Sequence, residues 1–309
     1  MDVQLLELRD ARWEALLTRV RHDIDHLPEY LAVTDRRRGS ASVLAYVEEG
    51  GEVLAVPLRF TELGEGHRDA ASAELRASPL VTDGTTPTWR VAAMRALLAR
   101  LRELGVVSLF LRFHPLLDAH RDDFAAFGAV VEHGPTYSIR LDQPLEEIRA
   151  GMRRSHRQSI RKFQASEFRY ERQAHCEDLA VFHELYDLTM QRVGARADFR
   201  FPFSYFRELV DALGERVALW VLRAEGDRVA AAHLVTDCGG IVQGLYAGEH
   251  PEFHGRIPQV GLYDRELEWA QQLAHRDYFI GGADHDSLHQ FKAGVTKYQP
   301  VEFSVRVVV

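Results

Sequence analysis

Cysteine and lysine are both scarce in this sequence of 309 residues. Because the cysteines are Cys176 and Cys238 alone, a disulfide scaffold is excluded and a cysteine–metal cluster is disfavoured. Lysine occurs only at Lys162, Lys292 and Lys297, although lysine and arginine together number 38. Each lysine is therefore conspicuous as a candidate for a specific role.

Long apolar runs and an excess of positive charge are also missing. No apolar run approaches the ~18–20 residues that a membrane-spanning helix needs, and the N-terminal sequence has no apolar signal core. We therefore expect a cytoplasmic protein with no membrane span. The net charge of −8 argues against a protein that coats nucleic acid with its whole surface. Any RNA contact must come from a local basic patch.

The 46% of hydrophobic residues is enough for one large core or two medium ones. Apolar periodicity and turn residues predict helices, strands and a hairpin in the first half of the chain. The predicted elements are a helix from Asp10 to Ile24, strands Ser42–Val47 and Glu52–Leu58, a helix from Thr88 to Gly105, a strand Val106–Arg112, a short helix Ala119–Phe127 and a strand around Ile139.

The second half repeats this order of elements. It contains a basic helix from Pro144 to about Phe163, a helix 177–193, a hairpin of strands 216–223 and 228–236, a strand ending at Tyr246, a helix 258–275, a strand 278–281, a short helix and a final strand 301–309. The repeated order resembles that of the GNAT acyltransferase fold. The predicted fold class is α/β, with two tandem GNAT-like domains and mixed sheets. The predicted domains are 1–142 and 143–309, and the final strand can pair back to the first domain.

The loop that could hold the pyrophosphate of coenzyme A lies between the strand ending at Tyr246 and the next helix. GNAT acyltransferases use backbone N–H groups of a glycine-rich loop for this purpose. Here Ile257 and Pro258 stand where close approach to the backbone needs glycine, and proline has no N–H group to donate. Coenzyme A is therefore the less favoured donor, and acyl-CoA-dependent N-acyl transfer is the alternative reaction.

Eight short segments, spread along most of the chain, match the motifs of a known protein family. They are His26–Tyr30, Val56–Arg59, Arg112–Leu116, Thr136–Leu141, Arg157–Lys162, Gly281–Ala283, Asp286–Leu288 and Phe291–Gly294. Together they resemble the Fem family, the tRNA-dependent aminoacyltransferases of the peptidoglycan bridge and their relatives in antibiotic pathways. Two features depart from that family. No long heptad stretch predicts the helical hairpin arm that some members carry, and Val295 replaces a frequent aromatic residue.

The resemblance implies transfer of an amino acid from aminoacyl-tRNA to an amine-bearing small molecule or peptide, with no cofactor. It implies that Lys292 stabilises negative charge on the reacting carbonyl oxygen and that Phe291 shapes the pocket. The alternative for Lys292 is a solvated lysine on a short helix. The predicted acceptor- or substrate-binding residues are His114, Arg192, Tyr246 and Asp286, and His114 alternatively satisfies a loop backbone. The general base stays open among Asp284, His285 and Asp286, with a phosphate group of the substrate as the alternative.

Basic residues at helical spacing form a candidate site for tRNA phosphates. They are Arg153, Arg154, Arg157, Arg161 and Lys162, preceded by Arg149. The alternative is a solvated helix face. The aromatic residues Phe163, Phe168 and Tyr170 follow, and they either stack on a base of the acceptor end or belong to the core.

A metal site is disfavoured. His22 and His26 are four residues apart, but the zincin pattern needs Glu directly after the first His and a third ligand. We therefore expect no metal and a polar helix end before Pro28. The alternative from another class of protein is a catalytically inactive tandem fold that binds RNA or a peptide. The amino acid, the acceptor, the pathway and the oligomeric state stay open.

Overall fold

The structure is a computed structural model, and it describes residues 1–117, 120–254, 259–283 and 285–309. The helices are α1 (Ala11–Leu17), α2 (Pro28–Arg38), α3 (Pro87–Glu103), α4 (Arg121–Ala125), α5 (Leu145–Gly151), α6 (Arg154–Gln164), α7 (Leu179–Arg192), α8 (Phe203–Leu213), α9 (Gln259–Gln272) and α10 (Asp286–Val295). The strands are β1 (Val3–Glu7), β2 (Ser42–Glu49), β3 (Glu52–Gly64), β4 (His67–Ser72), β5 (Leu80–Val81), β6 (Val106–Phe113), β7 (Ala129–Pro135), β8 (Tyr137–Arg140), β9 (Arg169–Gln173), β10 (Val217–Arg223), β11 (Val229–Cys238), β12 (Ile241–Glu249), β13 (Asp277–Gly281) and β14 (Val301–Val308). Within the described residues, no helix has the length and apolar character to cross a membrane.

The chain divides into two compact units. The first consists of Met1–Pro135 and Val301–Val309, and the second of Thr136–Pro300. The boundary follows Pro135 rather than Asp142, because β8 pairs with β13 and so belongs to the second sheet. Strand β14 lies between β6 and β7 in the first sheet. The last strand of the predicted domain 143–309 is therefore part of the first unit.

The first unit is built on a mixed sheet with the strand order β1-β2-β3-β4-β6-β14-β7, and β5 pairs with β3. Strands β4 and β6 are parallel neighbours. Met94, Leu97 and Leu101 of α3 share one buried core with Val56 of β3 and Leu109 of β6. The apolar stripe predicted for this helix is thus its core-facing side.

Local sequence sets both ends of α3. The hydroxyl group of Thr86 accepts a hydrogen bond from a backbone N–H of the first turn, and Pro87 occupies the first helical position. The cap is therefore Thr86 rather than the predicted Thr88. Gly105, with φ of 78°, follows the helix, and a Cβ atom there would lie 2.2 Å from the carbonyl oxygen of Gly66. Glycine is required at this close approach.

The second unit is built on a six-stranded sheet with the order β8-β13-β12-β11-β10-β9. Among its described strand pairs, only β12 and β13 are parallel, and their pairing covers Ile241–Gln243 opposite Asp277–Phe279. Strand β12 continues to Glu249, and its register against β11 shifts between Leu234 and Val235. The two parallel strands therefore separate toward their carboxyl ends. We call the space between them the β12–β13 gap.

Several predicted elements differ from those observed. The helix predicted from Asp10 to Ile24 ends at Leu17, and Ile24–His26 forms a separate 3-10 turn. The basic helix predicted from Pro144 to Phe163 is divided into α5 and α6. Strands β1, β4, β5, β7 and β9 and helices α2 and α8 were not predicted. Strands β4 and β7 consist largely of polar or exposed residues and so have no apolar pattern that would predict a strand. Their backbone hydrogen bonds to neighbouring strands identify them in the structure.

Candidate functional site

Lys292 lies at the β12–β13 gap, on the helix that follows β13. Its side chain is 8% exposed, and Nζ donates hydrogen bonds to the carbonyl of Ile280 at 2.6 Å and to that of Gly282. Both carbonyls lie beyond the last residue of β13 that pairs with β12. The ammonium group therefore binds backbone acceptors where the two strands have separated, and it fixes a positive charge there.

The glycine turn before Lys292 explains this arrangement. Gly281 has φ of 78°, a conformation that favours glycine, and its neighbours on both sides present their carbonyls to the same ammonium group. A Cβ atom at Gly281 would lie 3.8 Å from Nζ of Lys292. The two most specific parts of the Fem-like pattern, the glycine turn and the Phe-Lys segment, are thus joined by hydrogen bonds.

The Phe-Lys-Ala-Gly segment also packs against the start of α6. The backbone N–H of Arg153 donates to the carbonyl of Gly294 at 2.8 Å, and Nε2 of His156 donates to the carbonyl of Phe291 at 3.1 Å. The rings of His156 and Phe291 meet edge to face, with 5.2 Å between their centroids. A Cβ atom at Gly294 would lie 2.3 Å from Nε2 of His156, so the contact depends on glycine. Burial and the guanidinium group of Arg153 lower the pKa of His156.

A buried polar network joins β11, α9 and β13. Nδ1 of His233 lies 2.8 Å from Oε1 of Glu266, and Oε2 of Glu266 accepts a hydrogen bond from the hydroxyl group of Tyr278. Burial opposes protonation of His233, but Glu266 raises the pKa of His233 above its ordinary value. A Cβ atom at Gly244 would lie 3.3 Å from the hydroxyl oxygen of Tyr278. The network therefore fixes a tyrosine where β12 leaves β13.

Sequence reasoning missed this network. His233, Glu266 and Tyr278 are far apart in the chain and form no motif. The single signal was a histidine inside the apolar stretch of β11, where a buried imidazole needs a polar partner. Nothing in the sequence identifies that partner.

Arg192 and Tyr246, both predicted to contact substrate, lie in the second unit. The guanidinium group of Arg192 is 3.6 Å from Oε2 of Glu249, which is also 2.7 Å from Nδ1 of His254. The hydroxyl group of Tyr246 is 3.1 Å from that of Tyr205, and its ring belongs to a cluster of aromatic side chains between α7, α8 and β12. Tyr246 stands on the part of β12 that has left β13, so its position is compatible with the prediction.

The candidates for the general base lie at the start of α10. Asp286 and His285 are exposed. The hydroxyl group of Tyr137 is 2.9 Å from Nδ1 of His289, one turn later on the same helix. Asp284, and the loop residues Ile257 and Pro258, lie outside the described residues.

The predicted tRNA-binding residues do not form one uniform face. Arg157 donates to the carbonyls of Ala150 and Met152 and so caps the end of α5. The exposed cations are Arg153, Arg154, Arg161 and Lys162, and none has an ion pair with a described residue. Arg149 instead makes ion pairs with Asp264, Glu268 and Glu146, and these hydrogen bonds raise its pKa.

His114 belongs to the first unit and is buried. Its Nδ1 accepts a hydrogen bond from the backbone N–H of Leu116 at 3.1 Å, and its Nε2 lies 2.9 Å from Oδ2 of Asp23. Burial opposes ionisation of Asp23, but His114 lowers the pKa of that carboxyl group. A cavity of about 430 Å³, also lined by Arg90 and Arg121, adjoins the histidine. The imidazole therefore satisfies a loop backbone and a buried carboxylate, and acceptor binding by His114 stays a prediction.

The segment before Pro28 is a buried polar turn. Nε2 of His26 donates to the carbonyl of Ser78 at 3.1 Å, and burial lowers the pKa of His26 to about 4. The side chain of Asp23 accepts a hydrogen bond from the backbone N–H of Ile24. Among the described residues, no group of three or more His, Cys, Asp or Glu side chains could hold a metal ion. His26 thus has a structural role in this turn.

The fold and the site define a class of protein. Three antiparallel strands lead into a helix, and the following strand is parallel to the third and separates from it, with a lysine-bearing helix after the separation. Residues 150–293 match the family model described as "Acetyltransferase (GNAT) domain". The protein is therefore an acyltransferase whose second unit contains a GNAT-type domain.

Solved structures identify the particular tandem fold. FemX has a TM-score of 0.77 and 16% sequence identity, with 98% of this chain and 97% of that chain covered. L-PGS from Bacillus licheniformis has a TM-score of 0.64 and 12% identity, with 98% and 93% covered. A tandem GNAT protein from the clavulanic acid biosynthesis pathway has a TM-score of 0.57 and 18% identity, with 99% and 98% covered. These likenesses confirm the predicted fold class, α/β with two tandem GNAT-like units, and the Fem-like architecture. In a comparison with curated proteins, no sequence matches significantly.

Proposed function

We propose that this protein transfers an amino acid from aminoacyl-tRNA to an amine and so forms a peptide or amide bond. The observation that carries the proposal is the position of Lys292, which is fixed at the β12–β13 gap by the carbonyls of Ile280 and Gly282 and flanked by Phe291. The Fem-like motifs and the tandem fold shared with FemX support it. The proposed acceptor is an amine-bearing small molecule or peptide, as in a cell-wall precursor or an antibiotic intermediate, and the proposed compartment is the cytoplasm.

The proposed reaction needs no redox step and no cofactor. The lone pair of an uncharged amine attacks the ester carbonyl carbon, a C–N bond forms, and negative charge appears on the carbonyl oxygen. The ester C–O bond then breaks, the nitrogen loses a proton, and the terminal ribose hydroxyl of the tRNA leaves with a proton. A fixed cation can stabilise the negative oxygen by ~3–4 kcal/mol, because it requires no reorganisation during the reaction. Lys292 has this role in our proposal.

The acceptor nitrogen must lose a proton during transfer. Asp286 and His285 are exposed at the start of α10, on the helix that carries Lys292, and are the described candidates for this role. If the carboxylate is the base, replacement of Asp286 by Asn should lower kcat most at neutral and higher pH and least at low pH, where the carboxyl group of the unaltered protein is already protonated. An equal relative loss of kcat at every pH would indicate that another group accepts the proton.

Acyl transfer from coenzyme A is the second candidate function. The family match describes an acetyltransferase domain, and the clavulanic acid pathway protein, whose structure was solved without AcCoA, shares the tandem fold. The sequence argument against this donor is the pair Ile257 and Pro258, because proline has no backbone N–H group to donate in the predicted pyrophosphate loop. We therefore place aminoacyl-tRNA first.

The donor is tested by incubating the protein with a panel of amines and either a mixture of charged tRNAs or acetyl-coenzyme A. Amide product is expected with charged tRNA, and treatment of the tRNA with RNase before the reaction should abolish it. Charged tRNA and the amines without the protein are the control for non-enzymatic product. Product from acetyl-coenzyme A alone would refute the proposed donor and establish the second candidate.

A further inference from the structure

Four large apolar side chains are exposed on one short surface segment of the second unit. They are Leu188 (36% exposed), Val193 (41%), Phe199 (49%) and Phe203 (37%). They lie on the end of α7, on the connection after it and on the first residue of α8. We call residues 188–207 the α7–α8 surface. Single exposed apolar residues are normal, whereas a concentration of them marks an interaction surface.

The connection between α7 and α8 is held in place from the protein interior. The hydroxyl group of Tyr186 donates to the carbonyl of Phe199, and Nε2 of His183 donates to the carbonyl of Phe201 at 3.1 Å. The ring of Phe201 is buried and stacks on Tyr205 with 4.5 Å between centroids. The backbone is thus anchored, while the side chain of Phe199 is left half exposed. An anchored exposed phenylalanine is suited to insertion into a partner at little cost in conformational entropy.

The same segment is basic in an acidic protein. Residues 188–207 contain four arginines and one acidic residue, Asp198, although the whole chain has a net charge of −8. Arg192 lies 3.6 Å from Oε2 of Glu249, and Arg196 lies 2.9 Å from Asp198, so the unpaired positive charge of this surface comes from the other two arginines. Arg200 and Arg207 are exposed and form no ion pair with any described residue. The surface therefore combines apolar side chains with positive charge.

This combination matches the boundary between lipid headgroups and acyl chains. An RNA partner would use aromatic faces for stacking, but Leu188 and Val193 are aliphatic and cannot stack on bases. We propose that the α7–α8 surface docks on a bilayer that is rich in anionic lipids. Phe199 and Phe203 enter the headgroup region, and Arg200 and Arg207 lie beside lipid phosphates. The proposal does not depend on the identity of the acyl donor.

The experiment is co-flotation of the full chain with vesicles, without tRNA or any acyl donor. Vesicles of equal parts phosphatidylcholine and phosphatidylglycerol should bind the protein, and phosphatidylcholine vesicles should not. Phe199→Ser should weaken binding roughly tenfold, because a large apolar side chain no longer leaves water. Arg200→Glu with Arg207→Glu should weaken it by at least roughly tenfold and remove its salt dependence. Leu188→Ser is a second apolar variant should Phe199→Ser lower the melting temperature.

Matched controls come from exposed residues of the first unit. Leu63→Ser removes an exposed apolar side chain, and Arg95→Glu with Arg102→Glu makes the same change of charge on α3. These variants should bind the mixed vesicles as the unaltered protein does. The proposal is overturned by a lack of binding to the mixed vesicles, or by equal effects of surface and control variants. A dimer in solution that Phe199→Ser dissociates, or tRNA binding that Phe199→Ser weakens while vesicle binding stays unchanged, would assign the surface to those partners instead.

Discussion

The structural role of Lys292 must be separated from its proposed chemical role, because its ammonium group donates to two backbone carbonyls. Lys292 holds Ile280 and Gly282 at the end of β13 and also fixes a charge at the β12–β13 gap. Loss of the charge and loss of the carbonyl contacts occur together in any neutral variant. Kinetics and stability must therefore be measured side by side.

We predict that Lys292→Met lowers kcat ~100–1,000-fold and changes KM for the donor little, because the cation acts on charge that develops in the transition state. Steady-state kinetics of purified variants give both constants, and a melting curve reports folding. Lys297→Met, at an exposed lysine of the same unit, is the matched control and should keep full activity. Full activity in a folded Lys292→Met protein would show that the catalytic assignment is wrong, and a change in KM alone would make Lys292 a binding residue.

His26 should make the first unit sensitive to mild acid. Burial lowers the pKa of His26 from 6.5 to about 4. Between pH 6.5 and pH 4, the imidazole is therefore protonated in the unfolded chain and neutral in the folded chain. The stability contributed by neutral His26 is complete above about pH 6.5 and is lost as the pH falls toward 4, for a total of about 3 kcal/mol. Urea unfolding at several pH values measures this slope. His26→Gln should be less stable at pH 7 and should show a smaller loss on acidification.

The control for this pH series is His67→Gln, at an exposed histidine of the first unit. It should leave the pH dependence of unfolding as it is in the unaltered protein. An equal slope for His26→Gln and the unaltered protein would contradict the assignment of acid sensitivity to His26.

Single residues of the site were predictable to different degrees. Lys292 and Phe291 stood out because lysine is rare and because a glycine turn precedes them. The roles of His156 and Arg157 were not predictable, since His156 binds the carbonyl of Phe291 and Arg157 binds the end of α5. These contacts depend on how helices pack, which local sequence does not specify.

Among the elements, α6 and α10 depend on each other through one glycine. Gly294→Ala should destabilise the protein by ~1–3 kcal/mol, because the new methyl group would occupy the position of the His156 ring. Urea unfolding measures the loss. Gly151→Ala, where a Cβ atom meets nothing within 4 Å, is the control and should be neutral or slightly stabilising. Equal stability of the two variants would show that the α6–α10 contact relaxes freely.

The exposed cations of α6 should bind tRNA phosphates. Arg154 and Arg161 are two helical turns apart on one face and have no ion pair with a described residue. Arg154→Ala with Arg161→Ala should weaken tRNA binding and reduce the slope of log K against log salt by roughly one to two units. Filter binding at several salt concentrations measures this slope. The control is Arg95→Ala with Arg102→Ala on α3, which should leave the slope unchanged. An unchanged slope in the α6 variant would show that these arginines face solvent and do not bind tRNA.

The same helix shows where element prediction fails. The sequence has continuous helical spacing from Pro144 to Phe163, yet α5 ends at Gly151 because the backbone of Arg153 is bound by the carbonyl of Gly294. In contrast, α3 was predicted nearly in full, since its apolar stripe and Gly105 are local features. Hydrogen bonds from distant parts of the chain override local spacing.

At the scale of the whole molecule, the first unit depends on strand β14 to complete its sheet. Strand β14 lies between β6 and β7, and Val305 and Val307 are buried in the core of the first unit. Removal of residues 301–309 should abolish protection of β7 in hydrogen exchange and lower that of β6, because β7 loses its ladder partner while β6 still pairs with β4. Removal of Val309 alone is the control and should leave protection intact. Protected β7 in the truncated chain would show that the first sheet does not need β14.

The place of β14 in the sequence also bears on synthesis. Domains usually fold in the order in which they leave the ribosome. Here residues 301–309 emerge after the whole of Thr136–Pro300, so the second unit is fully translated before the first can close its sheet. Until then β6 and β7 present open edges that invite pairing with other chains. The first unit therefore completes its sheet only after residues 301–309 have been translated, and until then the unpaired edges of β6 and β7 are exposed to association with other chains.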